Sequence, residues 1–171
     1  MLELLASDAR SLVQDALTYS ILVAALIWGA GPERAVIATW VVFFELAKMP
    51  HDLIWARSVQ LQSVDGLWAA TDLCASVSWV MIALYANRNY TLFIAGLQLL
   101  AVAAHVTRGW LEIISPFAYV TMFTAPGWLQ LFLMAAGLFR HAQRERRYGP
   151  YREWRVALPW LDWLSVRIRR S

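Results

Sequence analysis

The sequence has few charged residues, a single cysteine and no motif of a common enzyme family. Charged residues make up 16% of its 171 residues, against about 25% in ordinary soluble domains. Because Cys74 is the only cysteine, an intrachain disulfide and a cysteine-rich metal site are excluded. A glycine-rich phosphate loop, a nucleophile elbow and an HExxH zinc motif are absent. The first residues lack a basic n-region, which argues against a cleaved signal peptide.

Apolar residues, in contrast, make up 60% of the chain, against roughly 45–50% in soluble domains. A soluble fold of this size could not cover so much apolar surface with so few charges. Five apolar stretches stand out, at residues 12–30, 33–49, 66–86, 90–107 and 116–139. A helix needs about 17–25 residues to cross a ~30 Å hydrocarbon core. The sequence therefore predicts an all-α polytopic transmembrane helix bundle with about five spans, over residues 1–139.

Short polar or proline-containing segments separate the predicted spans. The stretch 31–34 (Gly-Pro-Glu-Arg) and the stretch 87–89 (Asn-Arg-Asn) are typical of tight turns. Residues 51–62 and 158–170 mix tryptophan and other apolar residues with charged ones, which predicts amphipathic segments lying along the membrane interface. Trp40 and Trp79 fall deep inside predicted spans, where we expect them to pack between helices.

The basic residues are concentrated at the C-terminal end. Nine of the 15 lie in the predicted tail, 140–171: Arg140, Arg144, Arg146, Arg147, Arg152, Arg155, Arg167, Arg169 and Arg170. With five spans and a cytoplasmic tail, 11 basic residues fall inside and four outside, as the positive-inside rule requires. We expect a multi-pass protein of the bacterial inner membrane with a cytoplasmic C-terminus. Beside membrane spans, the tail predicts binding to anionic lipid headgroups rather than to nucleic acid.

Ionisable residues inside the spans are the candidate site, because charge within lipid is costly. The predicted topology places five of them at similar depth in the outer half of the membrane: Glu45, Lys48, Asp72, His105 and Arg108. Asp72 has no cation within four residues on its own helix. We therefore expect it to face the bundle and to meet Lys48, Arg108 or His105. A purely structural role is the alternative for each, including a Glu45–Lys48 pair along one helix face.

No cofactor is predicted. His51 and His105 are weak candidate metal or haem ligands, since the topology places both toward the outer side, but no ligand-spacing motif supports them. Gln98 and Gln130 are neutral polar candidates within predicted spans. Pro126-Gly127 interrupts the last span, where proline usually kinks a helix.

Two short stretches carry a resemblance. Residues 86–90 (Ala-Asn-Arg-Asn-Tyr) followed by 95–105, together with the turn at 31–34, resemble small multi-span bacterial inner-membrane proteins of unknown function. The resemblance covers residues 20 to 140. It implies a membrane-helical architecture and no particular activity.

Three functions remain open at this point. The first is a non-enzymatic accessory or scaffold subunit that contacts other membrane subunits, because the chain is small and carries no catalytic constellation. The second is a small solute or proton transport protein that uses the outer ionisable cluster. The third is a haem-binding or redox subunit that uses His51 and His105.

Overall fold

The computed structural model describes residues 8–47, 66–110 and 116–155, and these ranges contain five helices and no β-strand. Helix α1 covers Asp8–Trp28, and α2 covers Gly31–Trp40 and continues through a π-helical turn at Val41–Glu45. Helix α3 covers Gly66–Tyr85, α4 covers Tyr90–Trp110 and α5 covers Pro116–Tyr148. The predicted all-α fold is confirmed.

Three of these helices are long and apolar enough to cross a membrane. The qualifying segments are Ser11–Trp28 in α1, Trp68–Tyr85 in α3 and Tyr90–Thr107 in α4. They coincide with the first, third and fourth predicted spans. Helix α2 is described only as far as Ala47, and neither α2 nor α5 is among the three. A bundle of five spans therefore stays a prediction.

Helix α5 is longer than the predicted last span. It runs through Pro126 without a break and ends at Tyr148, nine residues beyond the predicted boundary at 139. Gly149 then adopts a left-handed φ of 78°, and its N–H donates to Glu145 O at 2.9 Å, which is a common way to end a helix. Four of the predicted tail arginines consequently lie on α5: Arg140, Arg144, Arg146 and Arg147.

The interior of the bundle is filled by aromatic and small side chains. Trp40, Phe44 and Trp79 form a cluster with ring centroids 5.0–6.1 Å apart. Trp79 Nε1 also donates to Val36 O at 3.2 Å, which satisfies the indole inside the core. Both tryptophans are buried, as predicted. Gly137 lets α5 approach α4 closely, because a Cβ there would lie 2.7 Å from the Tyr90 ring.

The outer surface of the bundle is apolar as well. Phe93, Phe132 and Leu84 leave 65%, 63% and 58% of their surfaces exposed, and similar side chains line the outer faces of α1, α3 and α4. Soluble monomers rarely expose apolar patches of that extent. The surface is suited to contact with lipid tails.

Both tight turns and the segment that follows α5 lie at one end of the bundle, which we call the turn end. The turn between α1 and α2 is held by Glu153 Oε2, which accepts from Gly31 N at 2.9 Å. The turn between α3 and α4 is held where Asn87 N donates to Glu153 O at 3.0 Å and Arg155 N donates to Tyr85 O at 2.7 Å. Residues 149–155 thus fold back across both turns.

Candidate functional site

Asp72 on α3 and His105 on α4 form a buried pair inside the bundle. Asp72 Oδ2 lies 2.7 Å from His105 Nε2, and the two residues are 2% and 6% exposed. Both positions belong to segments apolar enough to cross a membrane. His105 lies 15 residues from the start of α4 at Tyr90, about 22 Å from the turn end at a rise of 1.5 Å per residue. The pair therefore occupies the half of the bundle far from the turns.

Two buried glutamines extend this pair across three helices. Gln98 Nε2 donates to Asp72 Oδ1 at 2.7 Å and to Asp72 O at 3.1 Å. Gln98 Oε1 in turn accepts from Gln130 Nε2 on α5 at 3.0 Å, and the same nitrogen donates to Ile94 O at 3.2 Å. We call Asp72, His105, Gln98 and Gln130 the central network. A carboxylate only accepts hydrogen bonds, so the network fixes the orientation of both amides.

The chemistry of the Asp72–His105 pair follows from counting its protons. A carboxylate that accepts from a neutral imidazole carries one negative charge. If the imidazole gains a proton, the pair becomes neutral overall, with one proton shared along the 2.7 Å contact. The pair therefore places two titratable side chains within hydrogen-bonding distance, inside helices apolar enough to cross a membrane.

The structure brings together two of the five candidate residues from the sequence. Asp72 faces the bundle and contacts His105, which was one of its three predicted partners. Glu45 is buried on α2, where Trp40 Nε1 donates to its Oε1 at 3.4 Å. Lys48 and His51 lie outside the described residues, and the side chain of Arg108 does as well. Within the described ranges, no group of three histidine, cysteine or acidic residues could hold a metal ion.

A second buried cluster lies at the turn end and was not predicted from the sequence. Arg88 Nε donates to Glu33 Oε1 at 2.7 Å, and the two residues are 7% and 4% exposed. Arg88 Nη1 also donates to Asn87 O at 3.1 Å and to Arg152 O at 3.4 Å. The ion pair ties the turn before α4 to the start of α2 and to the segment after α5.

His141 and Tyr151 complete this turn-end cluster. Arg88 Nη2 lies 3.5 Å from His141 Nδ1, and Tyr151 Oη lies 3.0 Å from the same nitrogen. A guanidinium can only donate, so Nδ1 can act as the acceptor in this cluster, while His141 Nε2 lies 3.5 Å from Glu145 Oε2. Burial raises the pKa of the Tyr151 phenol above its ordinary value, so the phenol is protonated at neutral pH and can donate to His141.

Few features of the sequence indicate this cluster. Glu33 and Arg88 stand in predicted turns, and His141 and Tyr151 stand in the predicted tail. Such positions are usually solvated. Their burial depends on residues 149–155 folding back over the turns. The one signal in the sequence is that Glu33 and Arg88 stand in two tight turns that are predicted to lie on the same side of the membrane.

The remaining predicted tail residues are divided between two settings. Arg152 and Arg155 are exposed in the segment after α5, whereas Arg167, Arg169 and Arg170 lie outside the described residues.

Comparison of the chain with models of protein families, with characterised proteins and with solved structures finds no match. The resemblance of residues 20 to 140 to small multi-span bacterial proteins therefore stays a prediction.

Proposed function

We propose that this chain is a small integral membrane transport protein that moves protons through the Asp72–His105 pair. The observation that carries the proposal is the 2.7 Å contact between two buried titratable side chains in helices apolar enough to cross a membrane. Ionisable residues in such positions commonly serve as proton relays. Histidine suits this task because its charge state changes near neutral pH.

The accessory-subunit hypothesis explains the central network less well. Helices that only need to be joined can use neutral hydrogen bonds, and Gln98 with Gln130 already provide one at 3.0 Å. A carboxylate adds a desolvation cost that a neutral amide avoids. The haem hypothesis gains no support from His105, because its Nε2 faces Asp72. Proton transfer gives the titratable pair a role that the glutamines could not fill.

The proposal includes five spans in the bacterial inner membrane and a cytoplasmic C-terminus. Its support is the clustering of basic residues at the turn end, where Arg34 and Arg88 lie with the described arginines between residues 140 and 155. Positively charged segments are retained on the cytoplasmic side. A reporter active only in the cytoplasm should be active when fused after Ser171. Activity of a periplasm-specific reporter at that position would overturn this orientation.

Infrared difference spectroscopy tests whether the pair takes up a proton. On acidification of the reconstituted protein from about pH 8 to pH 5, where histidine changes charge, we expect bands of a protonating carboxylate or imidazole. Asp72→Asn should remove the part of these bands that comes from the pair. Asp15→Asn, which changes a carboxylate on α1 outside the central network, should leave them in place. Identical pH-dependent spectra for the wild type and Asp72→Asn would contradict the proposed role of the pair.

A further inference from the structure

A basic cavity lies beside the last turns of α5. It has a volume of about 660 Å³, and Arg140, Arg144 and Arg147 line it together with Tyr148 and Tyr151. Arg144 is positioned by the ring of Tyr151, because its Cζ lies 4.1 Å from the ring centroid. Three guanidinium groups around one cavity are suited to a phosphate group, which accepts several charge-assisted hydrogen bonds.

An apolar groove lies next to this cavity, between α1 and α5. Its volume is about 600 Å³, and its lining includes Ile21, Ala24, Ala135, Leu138 and Phe139. Alanines on both helices leave a channel between larger side chains. The α5 part of the lining extends from Ala135 to Arg147, about 18 Å at the helical rise. That length matches a large part of one acyl chain in a leaflet about 15 Å thick.

The cavity and the groove adjoin each other. Gln143 and Arg147 line both of them. The apolar part of the groove lies along the outer face of the bundle, whereas its basic part lies at the turn end. Trp28, which is half-exposed, lines the groove near the end of α1, where an indole is suited to the membrane interface. Along the surface, the apolar part of the groove is thus followed by an interfacial tryptophan and then by the arginines of the cavity.

We propose that this cavity and groove form one binding site for an anionic phospholipid. The phosphate lies among Arg140, Arg144 and Arg147, and one acyl chain lies between α1 and α5. The adjacent acidic side chains do not compete for the arginines, because Glu145 is turned toward His141 and Glu153 toward Gly31. A free phosphate or an acidic peptide would use the arginines but leave the apolar groove empty. The inference rests on the chain lying in a membrane and not on proton transport.

Lipid binding to the purified full chain in detergent tests this site. Native mass spectrometry should show phosphatidylglycerol bound roughly tenfold or more tightly than phosphatidylcholine with the same acyl chains. Arg147→Gln should weaken phosphatidylglycerol binding about fivefold, the effect of one basic residue near an anionic headgroup. Arg152→Gln is the matched control, because Arg152 is exposed and lines neither the cavity nor the groove. It should bind phosphatidylglycerol as the wild type does.

A second pair of variants distinguishes a lipid from a free anion. Ala142→Leu places a larger side chain in the groove and should weaken phosphatidylglycerol binding, whereas Ala136→Leu on the exposed face of α5 should not. Inorganic phosphate should compete poorly with the lipid. Equal binding of the two lipids, equal effects of Arg147→Gln and Arg152→Gln, or full displacement by inorganic phosphate with no effect of Ala142→Leu would each overturn the proposal.

Discussion

Arg88→Met is expected to lower the free energy of unfolding by about 3–5 kcal/mol, because it leaves the Glu33 carboxylate buried without its cation. Glu33 Oε1 would lose its donor, and among the described residues no donor reaches Glu33 Oε2. The same substitution removes the contacts of Arg88 with Asn87 O and Arg152 O. Two turns and the segment after α5 would lose their shared anchor, so the loss should be one of the largest for any single substitution.

Chemical unfolding in detergent micelles, followed by circular dichroism, measures this loss. Arg152→Met is the control, because only the backbone carbonyl of Arg152 accepts from Arg88 and its side chain is exposed. It should change the free energy of unfolding by less than about 0.5 kcal/mol. The double variant Arg88→Met, Glu33→Leu should recover part of the loss, since no unpaired carboxylate remains. Equal stabilities of Arg88→Met and Arg152→Met would show that the ion pair does not hold the turn end together.

The sequence predicts the helices that depend on local composition. Helices α1, α3 and α4 follow from apolar stretches of sufficient length, because a helix in lipid must remain apolar over about 20 residues. The end of α5 does not follow from this rule. The chain remains helical beyond the apolar stretch, through Arg140 to Tyr148, since arginine and glutamine are good helix formers. Gly149 therefore indicates the end of α5 better than the drop in hydropathy after residue 139 does.

The central network could be predicted in part. The depth of Asp72 within its span showed that it needed a partner, and three residues at a similar depth were candidates. Which of the three contacts Asp72 depends on the rotation of α4 about its axis, and helix packing determines that rotation. Gln98 and His105 are seven residues apart and share the face that meets α3. That spacing was visible in the sequence and is the signal that would have favoured His105 over Arg108.

The turn-end cluster depends on contacts between residues far apart in the chain. Glu33 and Arg88 are separated by 55 positions, and Arg88 and His141 by 53. Neither local periodicity nor hydropathy encodes such contacts. The burial of Arg88 also requires the segment after Gly149 to return over the bundle, and the sequence of that segment resembles an ordinary exposed tail.

Asp72→Asn is expected to slow proton movement across the membrane by about tenfold or more, because it removes the carboxylate that shares the proton with His105. The asparagine has nearly the same shape as aspartate. Its side-chain oxygen can still accept from Gln98, and its amide can donate to His105 Nε2 once the ring proton lies on Nδ1. The central network therefore stays satisfied and the fold should be retained, so this variant separates transport from stability. His105→Leu removes the other half of the pair and should also reduce transport.

The matched control is Thr71→Val on the same helix. The Thr71 hydroxyl donates to Trp68 O within α3 at 2.9 Å and takes no part in the central network. The variant should transport protons at the wild-type rate. Equal slowing by Thr71→Val and Asp72→Asn would indicate a general disturbance of α3 rather than the loss of the Asp72 carboxylate.

The decay of an imposed pH gradient in liposomes tests the proposed function most directly. Vesicles that contain equal amounts of the wild type, Asp72→Asn or Thr71→Val are compared with empty vesicles by means of an internal pH-sensitive dye. The proposal predicts rapid decay with the wild type and Thr71→Val, and decay close to that of empty vesicles with Asp72→Asn. Equal rates for the wild type and Asp72→Asn, or for the wild type and empty vesicles, would contradict it.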